Sequence, residues 1–550
     1  MIREKIQKIL EDALLKLKKR ELNVDEIDII IEVPKQKEFG DYATPIPLLI
    51  AQKNKKPPRE VAQELVDNLS TKDIFEKIEI AGPGFINFFV SHKTLLEIIN
   101  YIRKDLDNFV RIPESHKKIQ VEFGSINPTG PMHIAHARGV VIGDSLANLF
   151  KRVGWKVEKE FYINDAGNQI DLLGESLYAR YLELQGMECE FPKEGYRGEY
   201  LKDLARELLE KKDKIDKMDE KEKKEFFKEY ALKKMLENIK ETLYNFGVEY
   251  DCWFSERTLH KEGKLKEVLE ILERNGYIYK KDSAIWFSST KFGDEKDRVL
   301  IKSDGSPTYF LADIAYHLNK IERGFDWIID VWGADHHAHV QRMKGSLQAL
   351  GYSSDILEVI LVQMVRLLRG KEEVKISKRT GDFITLEEVQ EEVGKDPIRF
   401  FFLLRSAESQ LDFDIELAQK QTLDNPVYYV QYAHARCCSI LRQAEERGID
   451  LKDLDLANLN LLKTEKEKEL LLILMRYPER LRDITRTLEI HLLPHYLLNL
   501  ATAFHAFYDS CRVLSENKDL TLARLNLVDS VRIIIKDGLS ILGVSSPEKM

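Results

Sequence analysis

Cysteine is scarce in this sequence. The 550-residue chain has five, Cys189, Cys252, Cys437, Cys438 and Cys511, and no Cys-x-x-Cys pair. That argues against a zinc ribbon and a disulfide framework, so no structural zinc is expected and a reducing compartment fits. Long apolar runs are also missing; none reaches the length of a bilayer span, so no membrane partner is expected. The segment Met1 to Lys19 lacks the apolar core of a signal peptide, and Glu4, Glu11 and Asp12 are foreign to transit peptides, which points to the cytoplasm. There is no excess of positive charge: the net charge is −9 at pH 7. This neither supports nor excludes an RNA partner, because RNA binding needs only a local basic surface. No internal repeat is visible. What remains is ample for ordinary cores, with 43% hydrophobic residues and a length suited to roughly three to five domains.

The expected fold class is α/β multidomain: a Rossmann-like parallel-sheet domain with an insertion, preceded by an α+β domain and followed by an all-α bundle. Residues 1–112 read as the α+β unit. Helical periodicity runs from Ile2 to Lys19, a strand covers Ile27 to Val33, and Pro57-Pro58 starts a helix over Arg59 to Leu69. Strands flank the Gly82-Pro83-Gly84 turn. Residues 113–370 alternate strand and helix, with strands at Lys118 to Phe123, Trp155 to Ile163 and Trp327 to Trp332. The charged stretch at about 190–290, helical over Leu208 to Lys240, reads as an insertion with solvated faces. Residues 371–424 form a connective region with a helix from Pro397 to Ser406. Residues 425–550 read as helical throughout, with apolar-periodic segments at Glu469 to Leu488 and Leu525 to Leu542.

Two short segments carry chemistry. Asn127-Pro128-Thr129-Gly130-Pro131-Met132-His133-Ile134-Ala135-His136 lies between a strand and a helix expected over Ala137 to Lys151. Strand, tight turn and helix N-terminus is an arrangement that holds phosphate, with unpaired N–H groups aimed at the anion. Far downstream, Lys375-Ile376-Ser377-Lys378-Arg379 precedes Thr380-Gly381, a basic Gly-terminated loop suited to polyphosphate. The segment Gly333-Ala334-Asp335-His336-His337-Ala338-His339 offers metal-ligand types, yet it follows a buried strand at the edge where doubly wound sheets bind nucleotides; no metal site is expected there.

Together these segments resemble the His-Ile-Gly-His and Lys-Met-Ser-Lys-Ser motifs of class I aminoacyl-tRNA synthetases. Further stretches narrow the resemblance to the arginyl-tRNA synthetase family. They are Gly40 to Thr44, Ala81 to Phe88, Tyr162 to Gln169, Asp330 to His337 and Asn425 to Arg436. The resemblance implies ATP-dependent ligation of arginine to its tRNA through an arginyl-adenylate. ATP, Mg²⁺ arriving with it, L-arginine and arginine tRNA are the expected partners; no DNA partner is expected, and a monomer is. It also implies that tRNA binds before arginine is activated. Residues 1–112 then correspond to a tRNA-contacting domain and 425–550 to an anticodon-binding domain.

By this resemblance His133, His136, Lys375 and Lys378 are catalytic, and Pro131, Ala135, Gly333, Asp335, His336 and Ser377 bind ATP. Ala135 stands where the family usually has Gly, which places a methyl beside the adenine, and Ile376 replaces the usual Met. Glu122, Ser125, Asn127, His133, Tyr309 and Asp313 are expected to line the arginine pocket, since a guanidinium pairs bidentately with carboxylates. Read alone, Tyr309 and Asp313 are an ordinary i,i+4 pair. Phe85 and Asn87 are expected to grip an unpaired tRNA base, an aromatic to stack and an amide to read; Phe85 serves a core equally well. Tyr428, Tyr432, Arg436 and Met550 are matched to the anticodon, although an aromatic stripe on a helix is more often core. Two rival readings are a smaller nucleotidylyltransferase or amide-forming ligase with the same two motifs, and a non-catalytic tRNA-binding relative.

Overall fold

A computed structural model describes residues 2–19, 22–70, 73–112, 118–370, 372–374 and 384–550. At its centre lies a five-stranded sheet, parallel throughout. Its spatial order is Leu357–Val362, Trp327–Gly333, Lys118–Glu122, Lys156–Ile163 and Cys252–Ser255. The strands read as apolar runs because helices cover both faces. The helix Ile134–Arg152 buries Val140, Val141, Leu146, Leu149 and Phe150. Together with Tyr309–Glu322 and His337–Ala349 it supplies the crossovers flanking the sheet.

Cys252–Ser255 lies inside the segment expected as an insertion, yet it is the edge strand of the central sheet, with Phe161 opposite Trp253. Charge around the short run Cys252-Trp253-Phe254 hides it from periodicity. The charged helical stretch is also broken. Helices Glu199–Leu209 and Glu220–Asn245 are separate, and a capping box between Asp219 and Glu222 restarts the second. These helices and Asn168–Leu184 share a small core of their own, including Leu173, Tyr181, Leu204 and Phe227. Beyond the edge strand, Ile278–Lys281, Ala284–Phe287 and Arg298–Ile301 form an antiparallel sheet.

The N-terminal unit holds the expected helix, at Ile2–Lys18, and one starting at Pro58 as Pro57-Pro58 implied. Its antiparallel sheet has Phe85–Val90 between Tyr42–Thr44 and Phe75–Ala81. The strand expected over Ile27 to Val33 does not form. Only Glu32 bridges to Ala43, because the neighbouring strand is three residues long and the Thr44 hydroxyl takes the Ile30 carbonyl at 2.6 Å.

In the C-terminal bundle the stretch Glu469 to Leu488 is two helices, Glu465–Met475 and Tyr477–Thr487, with Pro478 in the first turn of the second. Pro426–Glu446, Leu492–Ser510 and Lys518–Ile541 complete it. The helix expected from Pro397 to Ser406 runs Lys395–Phe402. One contiguous core joins the N-terminal unit, the central sheet and the bundle. Polar ties cross the same seams: Tyr42 donates to Glu479 at 2.9 Å, and Arg103 pairs with Asp529 at 3.1 Å. No described helix is long and apolar enough to cross a membrane.

Candidate active site

The chain leaves Lys118–Glu122 toward one side of the sheet, then returns on its other side at Trp327–Gly333. Where strand order reverses, the crevice at the carboxyl ends is the ligand site of a doubly wound fold. The histidine turn follows Lys118–Glu122, and the Gly333–His339 segment follows Trp327–Gly333. His133 caps the helix Ile134–Arg152, its Nδ1 accepting the Ala135 N–H at 3.0 Å. The His133 and His136 rings stack with centroids 4.0 Å apart.

The backbone of this helix start is already used. Ile134 donates to the Ile384 carbonyl at 3.2 Å and His136 to the His133 carbonyl at 3.0 Å. With Ala135 on His133, three first-turn N–H groups are taken, so the expectation that unpaired N–H groups meet the phosphate is corrected. What this helix start still offers an anion is its dipole and the histidine side chains. The Ile384 bond, with Leu386 donating to Met132 at 2.9 Å, ties the chain after the basic loop to the histidine turn. Lys375, Ser377 and Lys378 lie outside the described residues. Pro131 and Ala135 are half-buried beside the histidines. One turn on, fully buried Arg138 donates to the carbonyls of Gln363, Ser406 and Ser409. Burial lowers its pKa to about 10.

Gly333 ends its strand in the open. A Cβ there would stand 2.5 Å from Asp335 Oδ1, so any other residue would turn that exposed carboxylate aside. Asp335 and His336 are exposed, with His336 Nε2 3.8 Å from Asp335 Oδ2.

Tyr309 opens the helix Tyr309–Glu322 and is 71% exposed. Asp313, one turn later, accepts from His339 Nε2 at 3.0 Å. Glu122 lies deeper. Its Oε2 takes Lys320 Nζ at 2.6 Å and its Oε1 the Ser125 hydroxyl at 2.8 Å. Ser125 Oγ accepts the Tyr162 N–H at 3.0 Å, and Asn127 hydrogen-bonds Asn164 at 3.0 Å.

Sequence reasoning named Glu122 but missed the charged groups beside it. In parallel register Glu160, Glu122 and Asp330 form a row of carboxylates across three strands. One helix supplies the cations: Lys320 reaches Asp330 at 2.8 Å as well as Glu122, and Arg323 pairs with Glu160 at 2.6 Å. Tyr316 donates to Glu160 at 2.5 Å, and both ring nitrogens of His317 face acceptors, the Asp313 carbonyl and Asp330. Burial raises the Glu122 pKa, against the pull of Lys320. Burial would raise Asp330 and Glu160 too, but Lys320 with His317 and Arg323 with Lys320 hold them below the usual range. The signal was single charges inside apolar strands, matched by Lys320 and Arg323 at helical spacing. Glu256 was missed as well. Burial raises its pKa, hydrogen bonds from Tyr162 and His260 oppose that, and Asp313 adds to it.

Among the described residues Glu158, Glu160 and Cys252 come close enough to share a metal ion. The Arg323 guanidinium already sits there, 3.4 Å from Glu158 and 3.9 Å from the Cys252 sulfur.

Away from the crevice, Phe85 is half-buried at the strand start, and Asn87 is buried between Ala43 and Glu79. At 2% exposure the amide is not open beside Phe85 to read a base, because its side chain lies on a covered face of the sheet. Tyr428 and Tyr432 stack with planes 8° apart, and Arg436 lies over Tyr432 and Tyr508 at 4.7 and 4.8 Å. Met550 is half-exposed at the chain end.

Three family models cover nearly the whole chain: the arginyl tRNA synthetase N terminal domain over residues 2–90, the class I (R) tRNA synthetase catalytic domain over 101–400, and the DALR anticodon binding domain over 430–550. The chain belongs to the arginyl-tRNA synthetases. Arginine–tRNA ligase of Desulforamulus reducens is 46% identical to this synthetase, covering 100% of it and 99% of the relative. That of Caldanaerobacter subterraneus subsp. tengcongensis is 47% identical at the same coverage. A structure of a putative arginyl-tRNA synthetase from Campylobacter jejuni superposes with a TM-score of 0.77 at 37% identity, over 84% of this synthetase and 100% of that chain. The Thermus thermophilus enzyme shares the fold over the full length of both, with a TM-score of 0.78 at 23% identity.

Proposed function

We infer that the crevice joins L-arginine to its tRNA in two steps, and we assign the residues as follows. The carboxylate of arginine attacks the α-phosphorus of ATP, and the bond to the bridging oxygen breaks with release of pyrophosphate. A ribose hydroxyl of the terminal adenosine of tRNA then attacks the arginyl carbonyl, loses its proton and releases AMP. The first nucleophile is already an anion, so the step asks for positioning and charge stabilisation rather than a base. His133 and His136 at the positive end of their helix face the phosphates. Lys375 and Lys378 supply the opposing cations, with Ser377 between them, and Mg²⁺ enters as part of the ATP substrate. Gly333, Asp335 and His336 hold the ribose, with Pro131 and Ala135 toward the adenine.

Arginine lies along the pocket between Tyr309 and Asp313 on one side and Ser125, Asn127 and His133 on the other. Asp313 takes the guanidinium, and Glu122 beneath, raised by burial and shared with Lys320, sets the polarity of the pocket floor. The observation that carries this reading is the convergence at one switch point of the stacked histidines, the Gly333–Asp335 turn and the Tyr309–Asp313 face. A monomer in the cytoplasm is assigned as the working form. Tyr428, Tyr432 and Arg436 are assigned to anticodon bases, for which stacked planar groups suit, and Met550 is assigned to the same contact. Phe85 is assigned to a base on the tRNA body, with Asn87 shaping the strand beneath it.

The deciding experiment is ATP–pyrophosphate exchange in the presence of total tRNA with each amino acid in turn. Exchange with arginine alone is expected. Exchange with lysine at comparable efficiency would overturn the pocket assignment, since planar bidentate recognition separates the two cations.

A further inference from the structure

Three histidines follow the Gly333–Asp335 turn, and the third behaves differently from the others. His336 and His337 are exposed, whereas His339 is buried in the first turn of the helix His337–Ala349. Its ring is packed against Trp332, Phe310 and Tyr309, with centroids 5.4, 5.7 and 6.1 Å away. Its Nε2 meets Asp313 Oδ2 at 3.0 Å. A carboxylate only accepts, so Nε2 carries the proton.

We propose that His339 is the positioning residue for Asp313, fixing that carboxylate toward the guanidinium of arginine and tying it to the turn that holds the nucleotide. Asp313 sits on a different helix, Tyr309–Glu322, with its side chain about one-third open to the crevice. Left to itself a half-exposed aspartate samples several rotamers. With Oδ2 held from behind by a packed ring, one rotamer remains, and the unused lone pairs of both oxygens face the incoming guanidinium. The Asp313 backbone is held as well, because its carbonyl meets His317 Nδ1 at 2.8 Å. His339 also lies only a few residues beyond Asp335, with its ring 6.4 Å from that of His336. A nucleotide seated on Gly333 and Asp335 therefore settles the same helical turn that aims Asp313.

This inference rests on the assignment of Asp313 to the arginine pocket, and the test separates the two. Michaelis constants for arginine and for ATP are measured in aminoacylation for the full-length enzyme and for Asp313→Asn, His339→Leu and His339→Gln. Gln places an amide N–H near the position of Nε2; Leu offers no donor. His339→Leu is expected to raise the arginine constant about tenfold to a hundredfold, the scale of one hydrogen bond to a charged group, and to leave the ATP constant within about twofold. His339→Gln should restore most of the loss, and His339→Leu combined with Asp313→Asn should add little to Asp313→Asn alone. An unchanged arginine constant in His339→Leu, with a raised one in Asp313→Asn, would overturn the inference and leave the pocket assignment standing. No effect from Asp313→Asn would overturn the assignment and the inference together. Equal losses for arginine and ATP, not recovered by Gln, would reduce His339 to packing. Should the Leu variant not fold, His339→Asn, whose shorter amide falls short of Asp313, replaces it against His339→Gln with the same outcomes.

Discussion

Asp144, on the helix that begins at the stacked pair His133 and His136, is bound to Arg399 in a fully buried ion pair that reaches the C-terminal bundle. Lys159 completes it, 2.6 Å from the other Asp144 oxygen, and Arg399 Nε donates to the Leu542 carbonyl at 2.8 Å. That carbonyl belongs to the negative end of the helix Lys518–Ile541, so the bundle itself helps to hold the guanidinium. Removing the carboxylate alone strands two cations in the core. Asp144→Asn is expected to cost about 3–5 kcal/mol of stability, the usual penalty for breaking a buried pair from one side. Urea unfolding at pH 7 measures it; a loss under about 1 kcal/mol would show that water reaches the pair.

The same pair sets a pH dependence. Burial would raise the Asp144 pKa, but Arg399 and Lys159 hold it below the usual carboxylate range. A group depressed in the folded state stabilises fully above its unfolded pKa, about 3.9, and ceases to do so as pH falls through its lower folded value. The stability gap between the wild type and Asp144→Asn should therefore be level from pH 5 to 7 and shrink only below about pH 4. A gap that closes already near pH 6 would mean that another group is responsible.

Gly543 tests the junction from the bundle side. It has φ of +67°, and a Cβ there would stand 2.3 Å from the Arg399 guanidinium. Gly543→Ala combines a left-handed backbone with a displaced buried cation, so a loss of about 1–3 kcal/mol is expected, read as a lowered melting temperature. Gly448, also with positive φ but with nothing near its Cβ position, is the control: Gly448→Ala should cost clearly less.

Lys378 lies outside the described residues, yet the chain just after its loop is bonded to the histidine turn through Ile384. If its charge acts on the departing pyrophosphate, Lys378→Ala should slow arginine activation about 10²–10³-fold, the scale of losing one preorganised donor. Arginine affinity should barely move. Rapid-quench measurement of adenylate formation checks this, and a variant that keeps most of its rate would mark Lys378 as a solvated lysine.

The proposed tRNA contacts lie in the N-terminal unit and in the C-terminal bundle, which pack against each other through Tyr42–Glu479 and Arg103–Asp529. Productive tRNA binding is expected to stabilise the arrangement that activates arginine, a coupling that must be reciprocal for binding. Pyrophosphate exchange should be negligible in nuclease-treated enzyme, and arginine with ATP should tighten tRNA. Robust exchange without tRNA would refute the coupling and leave the family assignment untouched.

The sequence by itself determined the features that depend on neighbours in the chain. The His133–His136 turn between a strand and a helix, the Pro57-Pro58 helix start and the apolar faces of the C-terminal helices were legible because spacing and capping act within a few residues. The histidine turn and the Gly333–His339 segment were legible as motifs, whereas Tyr309 and Asp313 were named only through the family resemblance. Tertiary structure decided what needs partners far away. Glu160 and Asp330 were not singled out in the sequence, and Glu122 was named without its neighbours, until parallel register set the three side by side over Lys320 and Arg323. Ile384 takes a helix N–H that local rules leave open for phosphate, the Thr44 hydroxyl takes a carbonyl that a strand at Ile27 to Val33 would have used, and Cys252–Ser255 becomes a sheet edge only because Lys156–Ile163 lies beside it. Burying a charge or filling a backbone hydrogen bond is a pairwise event in space, and a linear pattern carries only one member of the pair.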